Sequence, residues 1–466
     1  IAHRVIYRFI PHITDDDGNK CEGGIVRTIT IWVNPTPQIR VTASPDTLLC
    51  NNRFVNFYIS NPNRNDQGDW RYELIVDPDP EISGWSPGGI FEVPTSFGDS
   101  LVNNDTAVHS VRYHFIPSIT PSDGGSGCGN GKDTIITIWI NPTPRINVSV
   151  PDTIFCNNEI LNFSVENGLG SIYGDPKYMV RAVYSPANIT VYSRTSGAQT
   201  ILDTGQPISD SVVNHTNEAH PVYYFFTPRI YDTRPGHEGA YCGNVPAIQY
   251  TIWVNPTPRI IVIPEDSIYC DSAFVYINII DGLSDNIKGT AVYNLDVTYN
   301  SGDISGIISA DGESGSADDD INNYFENQTD TIQVVSYRFT ARIRDDRPGH
   351  AGEYCNNGVD TVINIYLNPT PRLAYEYLIG EDTLCFNQGF RLATNAQVYT
   401  THPLYYQLWV DNPENVPEVI VPPDSSDAAV PLDQTQIWNP GDDVRTVEYR
   451  FHPFISTKGC PGKDTS

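Results

Sequence analysis

Hydrophobic and polar residues alternate in a short segment that recurs four times along the chain. In the second copy, Ile136, Ile138 and Ile140 occupy one face and alternate with residues of the other face. This period of two predicts a β-strand with one face in a hydrophobic core. The same phase gives equivalent sets in the other copies: Ile29, Ile31 and Val33; Tyr250, Ile252 and Val254; and Ile363, Ile365 and Leu367.

A second alternating strand, with the pattern Val-x-Tyr-x-Phe, precedes each of these segments. It occurs five times, at residues 5–9, 111–115, 222–226, 335–339 and 447–451. Short β-branched and aromatic runs, separated by Gly, Pro, Asn and Asp turns, predict a two-sheet antiparallel sandwich of about seven strands per unit. The two recurring strands would be its last two.

Each alternating segment ends in the tetrapeptide Asn-Pro-Thr-Pro. Proline fixes φ and removes a backbone donor, and the Asn before it favours extended conformations, so we predict a stiff connector between successive units. The linker residues are Asn34, Pro35 and Pro37; Asn141, Pro142 and Pro144; Asn255, Pro256 and Pro258; and Asn368, Pro369 and Pro371.

The spacing of the linkers divides the chain into repeats of about 110 residues, the size of one sandwich domain. We predict an N-terminal segment, residues 1–36, with the last strands of a preceding repeat. Repeat 1 is 37–143, repeat 2 is 144–257, repeat 3 is 258–370, and repeat 4 is 371–466, which stops before its last strand. The expected fold is all-β, a tandem array of immunoglobulin-like sandwiches, and we expect the sequence to be an excerpt of a longer exported chain.

An aromatic residue stands two positions before each linker Asn, on the strand face opposite the core. These residues are Trp32, Trp139, Trp253 and Tyr366. One interpretation is that the ring covers the domain end or the linker. The other is a contact with the next domain or a neighbouring filament chain, since aromatic side chains supply much interface energy.

The amino-acid composition argues against some classes of binding partner. The chain has 56 acidic and 28 basic residues, for a net charge of −28. Such a charge argues against binding to nucleic acid or to anionic membranes. No stretch reaches the roughly 18 apolar residues of a membrane span.

Nine cysteines occupy matched places in the repeats, before the alternating strand and after the linker. With no Cys-x-x-Cys or Cys/His cluster, they predict disulfides in an oxidising compartment. In an end-to-end stack the geometry favours Cys50 with Cys242, Cys156 with Cys355 and Cys270 with Cys460, between domains. An intradomain pair such as Cys156 with Cys242 stays open if the first strand is arranged differently. The remaining cysteines are Cys21, Cys128 and Cys385.

The combination of "YRFIP", a Gly/Cys loop, "TITIWVNPTP" and "DTIFCNN" resembles the PKD-like, immunoglobulin-like repeats of very large surface proteins of Bacteroidota, which the type IX secretion machinery exports. The resemblance covers nearly the whole chain. It implies an extracellular, cell-surface location and a role in adhesion, gliding or prey capture. The resemblance also suggests that the Asp-Thr/Ser-aliphatic triplets are O-glycosylated at Thr47, Thr153, Ser267 and Thr383. The alternative is a turn in which the Asp accepts backbone hydrogen bonds.

Two further features of the sequence combine residue types that could carry chemistry. The loops "YDTRPGHEGAYC" and "RDDRPGHAGEYC" combine Arg, His and carboxylates but lack a nucleophile, so we expect no catalysis and a loop that packs on its neighbour. No cofactor is expected, although acidic clusters could ligate Ca²⁺. These clusters are Asp15, Asp16 and Asp17, and Asp318, Asp319 and Asp320; solvated turns are the alternative.

The sequence therefore favours a semi-rigid stalk within a long adhesin or filament, and does not favour an enzyme. Expected partners are neighbouring repeats, other copies of the chain in a filament and, through regions outside this sequence, a target cell or surface. Two alternatives stay open: a glycan-binding repeat module, and a noncatalytic spacer of a secreted hydrolase.

Overall fold

The structure is a computed structural model that describes residues 1–92, 96–122, 125–307, 313–316, 318–412, 414–419, 426–428, 430–455 and 460–462. Every regular element in this part of the chain is a β-strand. The described residues therefore contain no helix that could cross a membrane. The prediction of an all-β chain is confirmed.

The N-terminal segment is a hairpin. Its strands are β1 (His3–Phe9), β2 (Ile13–Thr14), β3 (Lys20–Cys21) and β4 (Arg27–Val33). β1 pairs antiparallel with β4, and β2 with β3. Ile29, Ile31 and Val33 are exposed in this copy, so their burial in a core stays a prediction. The described chain places no second sheet against this hairpin.

Repeat 1 is a sandwich of two sheets. Its strands are β5 (Arg40–Ser44), β6 (Leu48–Leu49), β7 (Arg53–Ser60), β8 (Asp69–Pro78), β9 (Ile82–Ser83), β10 (Gly89–Glu92), β11 (Ser96–Asn103), β12 (His109–Thr120) and β13 (Thr134–Ile140). One sheet has the order β5-β7-β11-β9 and the other β10-β8-β12-β13-β6. β6 pairs in parallel with β13, whereas the other pairs of neighbouring strands are antiparallel.

This topology is immunoglobulin-like, because the first strand leaves one sheet and continues in the other beside the last strand. The described part of repeat 1 has nine strands instead of the expected seven or so. The excess comes from the division of the first strand into β5 and β6 and from the short β9.

Repeats 2 and 3 repeat this arrangement. Repeat 2 contains β14 (Ile146–Ser149), β15 (Ile154–Phe155), β16 (Ile160–Asn167), β17 (Asp175–Val183), β18 (Ile189–Val191), β19 (Gln199–Asp203), β20 (Ile208–Asn214), β21 (His220–Tyr231), β22 (Tyr241–Cys242) and β23 (Ile248–Val254). Repeat 3 contains β24 (Ile260–Pro264), β25 (Ile268–Tyr269), β26 (Ala273–Asp281), β27 (Thr290–Thr298), β28 (Ile304–Ile307), β29 (Glu313–Ser316), β30 (Asp320–Asn327), β31 (Gln333–Arg344), β32 (Tyr354–Cys355) and β33 (Asp360–Leu367). β15 and β25 pair in parallel with β23 and β33, as β6 does with β13.

Repeat 4 has fewer strands in its described part. They are β34 (Leu373–Ile379), β35 (Gln388–Ala396), β36 (Leu404–Asp411), β37 (Ser426–Asp427), β38 (Leu432–Ile437), β39 (Glu448–Ile455) and β40 (Cys460–Pro461). They form the sheets β34-β35-β38 and β37-β36-β39-β40.

The core of each sandwich is centred on the Val-x-Tyr-x-Phe strand. In repeat 1, Val111, Tyr113 and Phe115 are fully buried, and the equivalent residues of repeats 2 and 3 are too. The buried Tyr113 hydroxyl donates a hydrogen bond to Asp99 on β11, 2.5 Å away. Equivalent pairs join Tyr224 to Asp210, Asn323 to Tyr337, and Tyr449 to Gln434. A buried hydroxyl needs such a partner, so these pairs position the central strand against its opposing sheet.

Candidate functional site: the joints between repeats

The recurring chemistry of the chain lies at the joints. A joint consists of one linker and the residues of the two flanking repeats that contact each other around it. At the second linker, Asn141 Nδ2 donates to the Tyr173 carbonyl (2.8 Å), and the Tyr173 N–H donates to Asn141 Oδ1 (3.0 Å). The carboxamide therefore forms two hydrogen bonds with the backbone of one residue in the next repeat. We call this arrangement the linker amide pair.

The linker amide pair recurs at the other joints. Asn34 forms it with Gln67 (2.8 and 2.8 Å), and Asn255 forms it with Lys288 (2.9 and 2.8 Å). At the fourth linker, Asn368 Oδ1 accepts from the Thr401 N–H (2.8 Å), while Nδ2 donates to the Thr401 hydroxyl (3.0 Å). The carboxamides of Asn141, Asn255 and Asn368 belong to buried residues.

The aromatic residue before each linker adds a contact at two joints. The ring of Trp139 lies edge-on against Tyr173, with centroids 5.0 Å apart. The Lys288 ammonium lies 3.9 Å from the ring centroid of Trp253. Tyr173 and Lys288 are thus held both by their backbone and by their side chains. Trp32 differs, because it contacts Arg4 of its own hairpin, and Tyr366 is partly exposed.

Backbone hydrogen bonds also join the loops of adjacent repeats. Between repeats 1 and 2, the Val108 N–H donates to the Ser171 carbonyl (2.7 Å), and the Gly170 N–H to the Thr106 carbonyl (3.0 Å). Between repeats 2 and 3, the Ala219 N–H donates to the Asn286 carbonyl (2.6 Å).

The linker threonine connects the joint to the interior of the preceding repeat. Asn51 Nδ2 donates to the Thr143 hydroxyl (2.8 Å) and to the Asn103 carbonyl (2.8 Å). Asn157 makes the same bonds to Thr257 and Asn214. In repeat 3, Asp271 takes this place and accepts from Thr370 (2.5 Å) and from the Asn327 N–H (2.7 Å).

Each fully described joint between consecutive sandwiches carries an interdomain disulfide, and their pairing is the one that the end-to-end stack favours. The pairs are Cys50–Cys242, Cys156–Cys355 and Cys270–Cys460, with Cα atoms 5.4, 5.4 and 5.3 Å apart. Each pair joins the turn after the first strand of one repeat to the last-strand loop of the next. The free cysteines are Cys21, Cys128 and Cys385.

An arginine bridge lies beside each of the first two disulfides. Arg234 donates to Asp46 of the preceding repeat (2.5 and 3.1 Å) and to Asp232 of its own loop (2.6 Å). These hydrogen bonds lower the pKa of both carboxyl groups. Bidentate contacts of this kind fix orientation as well as charge.

The second bridge has the same geometry. Arg347 donates to Asp152 of the preceding repeat (2.7 and 2.8 Å) and to Asp345 (2.5 Å). Burial alone would raise the pKa of Asp152, but hydrogen bonds from Arg347 and from two backbone N–H groups lower it. The two loops that sequence analysis compared with catalytic loops therefore pack on the preceding repeat.

Two groups of side chains at these bridges resemble metal ligands. One contains Asp46, Asp232 and His237; the other contains Asp152, Asp345, His350 and Glu353. In each group a guanidinium already bonds the two aspartates, so a positive charge occupies the position that a cation would need.

The acidic clusters considered for calcium form local turns. Asp15 accepts from the Asn19 N–H (2.7 Å), which lowers its pKa, and Asp319 accepts from the Ser316 N–H (2.7 Å). Asp16, Asp17, Asp318 and Asp320 lie in or beside the same turns. Calcium binding here stays a prediction.

The aspartates of the Asp-Thr/Ser-aliphatic triplets also form turns. Asp46 Oδ1 accepts from the Thr47 N–H (2.6 Å), and Asp266 Oδ1 accepts from the Ser267 N–H (2.6 Å). Thr47, Thr153, Ser267 and Thr383 are all exposed. Glycosylation of these hydroxyls stays a prediction, because a turn and a glycan are compatible.

No protein-family model and no curated protein matches the chain. Among solved structures, it is similar to the D1–D4 ectodomain fragment of ICAM-5, with 10% identity over 92% of this chain and 98% of that one, and a TM-score of 0.28. It is also similar to invasin, a bacterial integrin-binding protein (10% identity, 92% and 78% coverage, TM-score 0.28), and to three N-terminal domains of the bacteriophage RB49 outer capsid protein Hoc (8%, 72% and 99%, 0.29). At these scores the likeness carries no argument about function, and the fold assignment rests on the sheet topology. The chain is a tandem immunoglobulin-like protein with disulfide-bonded joints.

Proposed function

We propose that this chain is the repeat region of a long extracellular adhesin or filament, in which it forms a semi-rigid, noncatalytic stalk. The observation that carries the proposal is the bonding at the joints. A linker amide pair, a disulfide and, at two joints, an arginine bridge attach each repeat to the next at separate points. Several separated attachments restrict bending and twisting more than a single flexible linker does.

The disulfides also support an extracellular location. Six cysteines are paired, and such bonds persist in oxidising surroundings outside the cell. The resemblance to type IX-exported surface repeats agrees with this location. Secretion by that machinery, and a role in gliding or prey capture, belong to the proposal.

Small-angle X-ray scattering of the full oxidised chain tests the stalk. Four sandwiches of roughly 35–40 Å each would give a maximum dimension of about 150 Å. A matched variant in which the linker at 255–258 becomes Gly-Ser-Gly-Ser keeps the disulfides but loses the Asn255 amide pair, and should show greater flexibility. A compact globular profile for the unmodified chain would contradict the proposal.

One exposed face favours lateral association of such stalks. In repeat 3, the outer face of the sheet β24-β26-β30-β28 is largely apolar along β24 and β26. It presents Ile261, Ile263, Phe274, Tyr276, Ile280 and Ile307, which are 39–74% exposed. The ring of Phe274 also lies tilted against that of Tyr324, with centroids 5.0 Å apart. By strand pairing, repeat 2 has Asn147, Ser149, Asn162 and Glu166 where repeat 3 has Ile261, Ile263, Tyr276 and Ile280.

The occupant we propose for this face is a second copy of the chain, packed face to face. Large exposed apolar patches on a protein surface mark interaction sites, and the exposed side chains of this face form such a patch. A chain with a net charge of −28 repels its copies, and this face carries few charges.

Sedimentation velocity of the full chain tests the lateral contact. The double variant Ile261→Asn/Phe274→Asn should shift a dimer toward monomer, whereas Ile160→Asn on the matching face of repeat 2 should not. A monomeric unmodified chain would exclude the second copy as the occupant. Binding of that monomer to a glycan array would then favour the glycan-binding alternative.

A further inference from the structure

The interdomain disulfides overlap along the sequence. They span 192, 199 and 190 residues, so that each is far longer than one repeat. Cys156 lies between Cys50 and Cys242, and Cys270 lies between Cys156 and Cys355. The covalent loops that the three disulfides close therefore overlap along the sequence.

This overlap creates a short covalent route through the chain. The route follows the backbone to Cys50, crosses to Cys242 and follows the backbone to Cys270, then crosses to Cys460. Between Cys242 and Cys270 it contains β23, the third linker, β24 and β25. Residues 51–241 and 271–459 lie outside it.

We propose that the disulfides have a further function, which is to carry tension past the sandwiches. This inference rests on the proposed stalk, since a stalk that connects two bodies is pulled at its ends. Force applied to the ends follows the shortest covalent route and reaches most strands of each sandwich only after that route is taut. The strands within residues 51–241 and 271–459 are then shielded from the tension, because they are not part of the stretched path.

The fully stretched covalent route is much shorter than the fully stretched chain. The route contains 86 of the 466 residues, namely 1–50, 242–270 and 460–466. At about 3.5 Å per extended residue, it can stretch to about 300 Å, whereas the whole chain can stretch to about 1,600 Å.

The Cys156–Cys355 disulfide provides an internal control. It joins two loops that both lie outside the shortest route, so its removal leaves the 86-residue route unchanged. Removal of Cys50–Cys242 lengthens the shortest route to 249 residues, which run from 1 to 156, from 355 back to 270 and from 460 to 466, and stretch to about 900 Å. Removal of Cys270–Cys460 leaves a shortest route that is also 249 residues long, from 1 to 50, from 242 back to 156 and from 355 to 466, and it also reaches about 900 Å.

Single-molecule force extension of the full chain, held by handles at its two ends, tests the route. The oxidised chain and Cys156→Ser/Cys355→Ser should both stop near 300 Å. Cys50→Ser/Cys242→Ser and Cys270→Ser/Cys460→Ser should extend about threefold further, and the fully reduced chain about fivefold further. If one variant fails to fold, as circular dichroism would show, the other provides the same comparison.

Equal final lengths for the three double variants would overturn the proposal, as would an oxidised chain that extends far beyond 300 Å. These outcomes are separate from failure of the stalk. If the scattering profile is compact but the extended lengths are as expected, only the stalk is rejected. If the profile is elongated but the three double variants reach equal lengths, only the tension route is rejected.

Discussion

The side chain of Asn255 and the backbone of Lys288 exchange two hydrogen bonds across the joint between repeats 2 and 3, at 2.9 and 2.8 Å. The Lys288 ammonium lies against Trp253, two residues before the same Asn. One residue of the following repeat is therefore held by the end of the last strand and by the linker together. The orientation of repeat 3 relative to repeat 2 depends on this contact.

The substitution Asn255→Ala should destabilise the chain by about 2 kcal/mol, because it leaves the Lys288 N–H and carbonyl without these partners at a buried position. Urea unfolding followed by tryptophan fluorescence measures the change. Asn34→Ala is the matched control. Asn34 makes the same pair but is half-buried, so water can replace its bonds and the loss should be smaller. Equal losses at both positions would contradict this account.

Alkaline pH should unfold the sandwiches. Burial raises the pKa of Tyr449 to about 12, and burial also raises the pKa of Tyr113, Tyr224 and Tyr337. Because an unfolded tyrosine ionises near pH 10, the stability due to these groups is complete below about pH 10 and falls as the pH rises further. Tyrosinate absorbance and circular dichroism, recorded together, should show the buried tyrosines ionising only as the sheets unfold. Ionisation of all tyrosines near pH 10 in a folded chain would contradict this prediction.

Acid should weaken the arginine bridge. Hydrogen bonds from Arg234 lower the pKa of Asp46 and Asp232, so the bridge contributes stability above the unfolded pKa of about 3.9 and loses it as the pH falls through the lower folded values. Arg234→Gln should therefore cost about 1 kcal/mol or less near neutral pH, and the difference from the unmodified chain should disappear in acid.

The control for the Arg234→Gln variant is Arg338→Gln. Arg338 pairs with Asp360 on the exposed surface within repeat 3. Its loss should change stability less than the loss of Arg234 near neutral pH. Urea unfolding at neutral and acidic pH measures both variants, and a pH-independent effect of Arg234→Gln would be inconsistent with an ionic contribution.

Digestion without reduction should release crosslinked peptides that contain Cys50 with Cys242, Cys156 with Cys355, and Cys270 with Cys460. Mass spectrometry before and after reduction identifies them. A peptide that joins Cys156 to Cys242 would reject the interdomain pairing. In the chain-entropy model a closed loop of this size is worth about 5 kcal/mol, so reduction should lower resistance to urea substantially.

The sequence predicted the fold well where the signal was local. Alternation at Ile136, Ile138 and Ile140 places the last strand with the correct face inward, because the period of a strand fixes which side chains share a face. The same alternation at Ile29, Ile31 and Val33 gives a face that is exposed in the hairpin. The pattern specifies a face suited to burial, but burial requires a second sheet against it.

The joint was predicted only in part. Proline in the linker implied stiffness, and the stacking argument favoured the disulfide pairs that the structure contains. The linker amide pair was missed, although Asn recurs in all four linkers. Its partners, Gln67, Tyr173, Lys288 and Thr401, share no side-chain type, because the Asn bonds only the backbone of the first three and the backbone N–H and hydroxyl of Thr401.

By itself, the sequence determined the period of the array, the strand faces and the positions of the stiff linkers, since all of these depend on near neighbours in the chain. Only the tertiary structure decided which residues meet at the joints. Asp46 and Arg234 are 188 positions apart, and nothing in either segment specifies the other until both sandwiches have folded and their ends come together. Contacts between repeats depend on the shapes of two completed domains, which no local pattern contains.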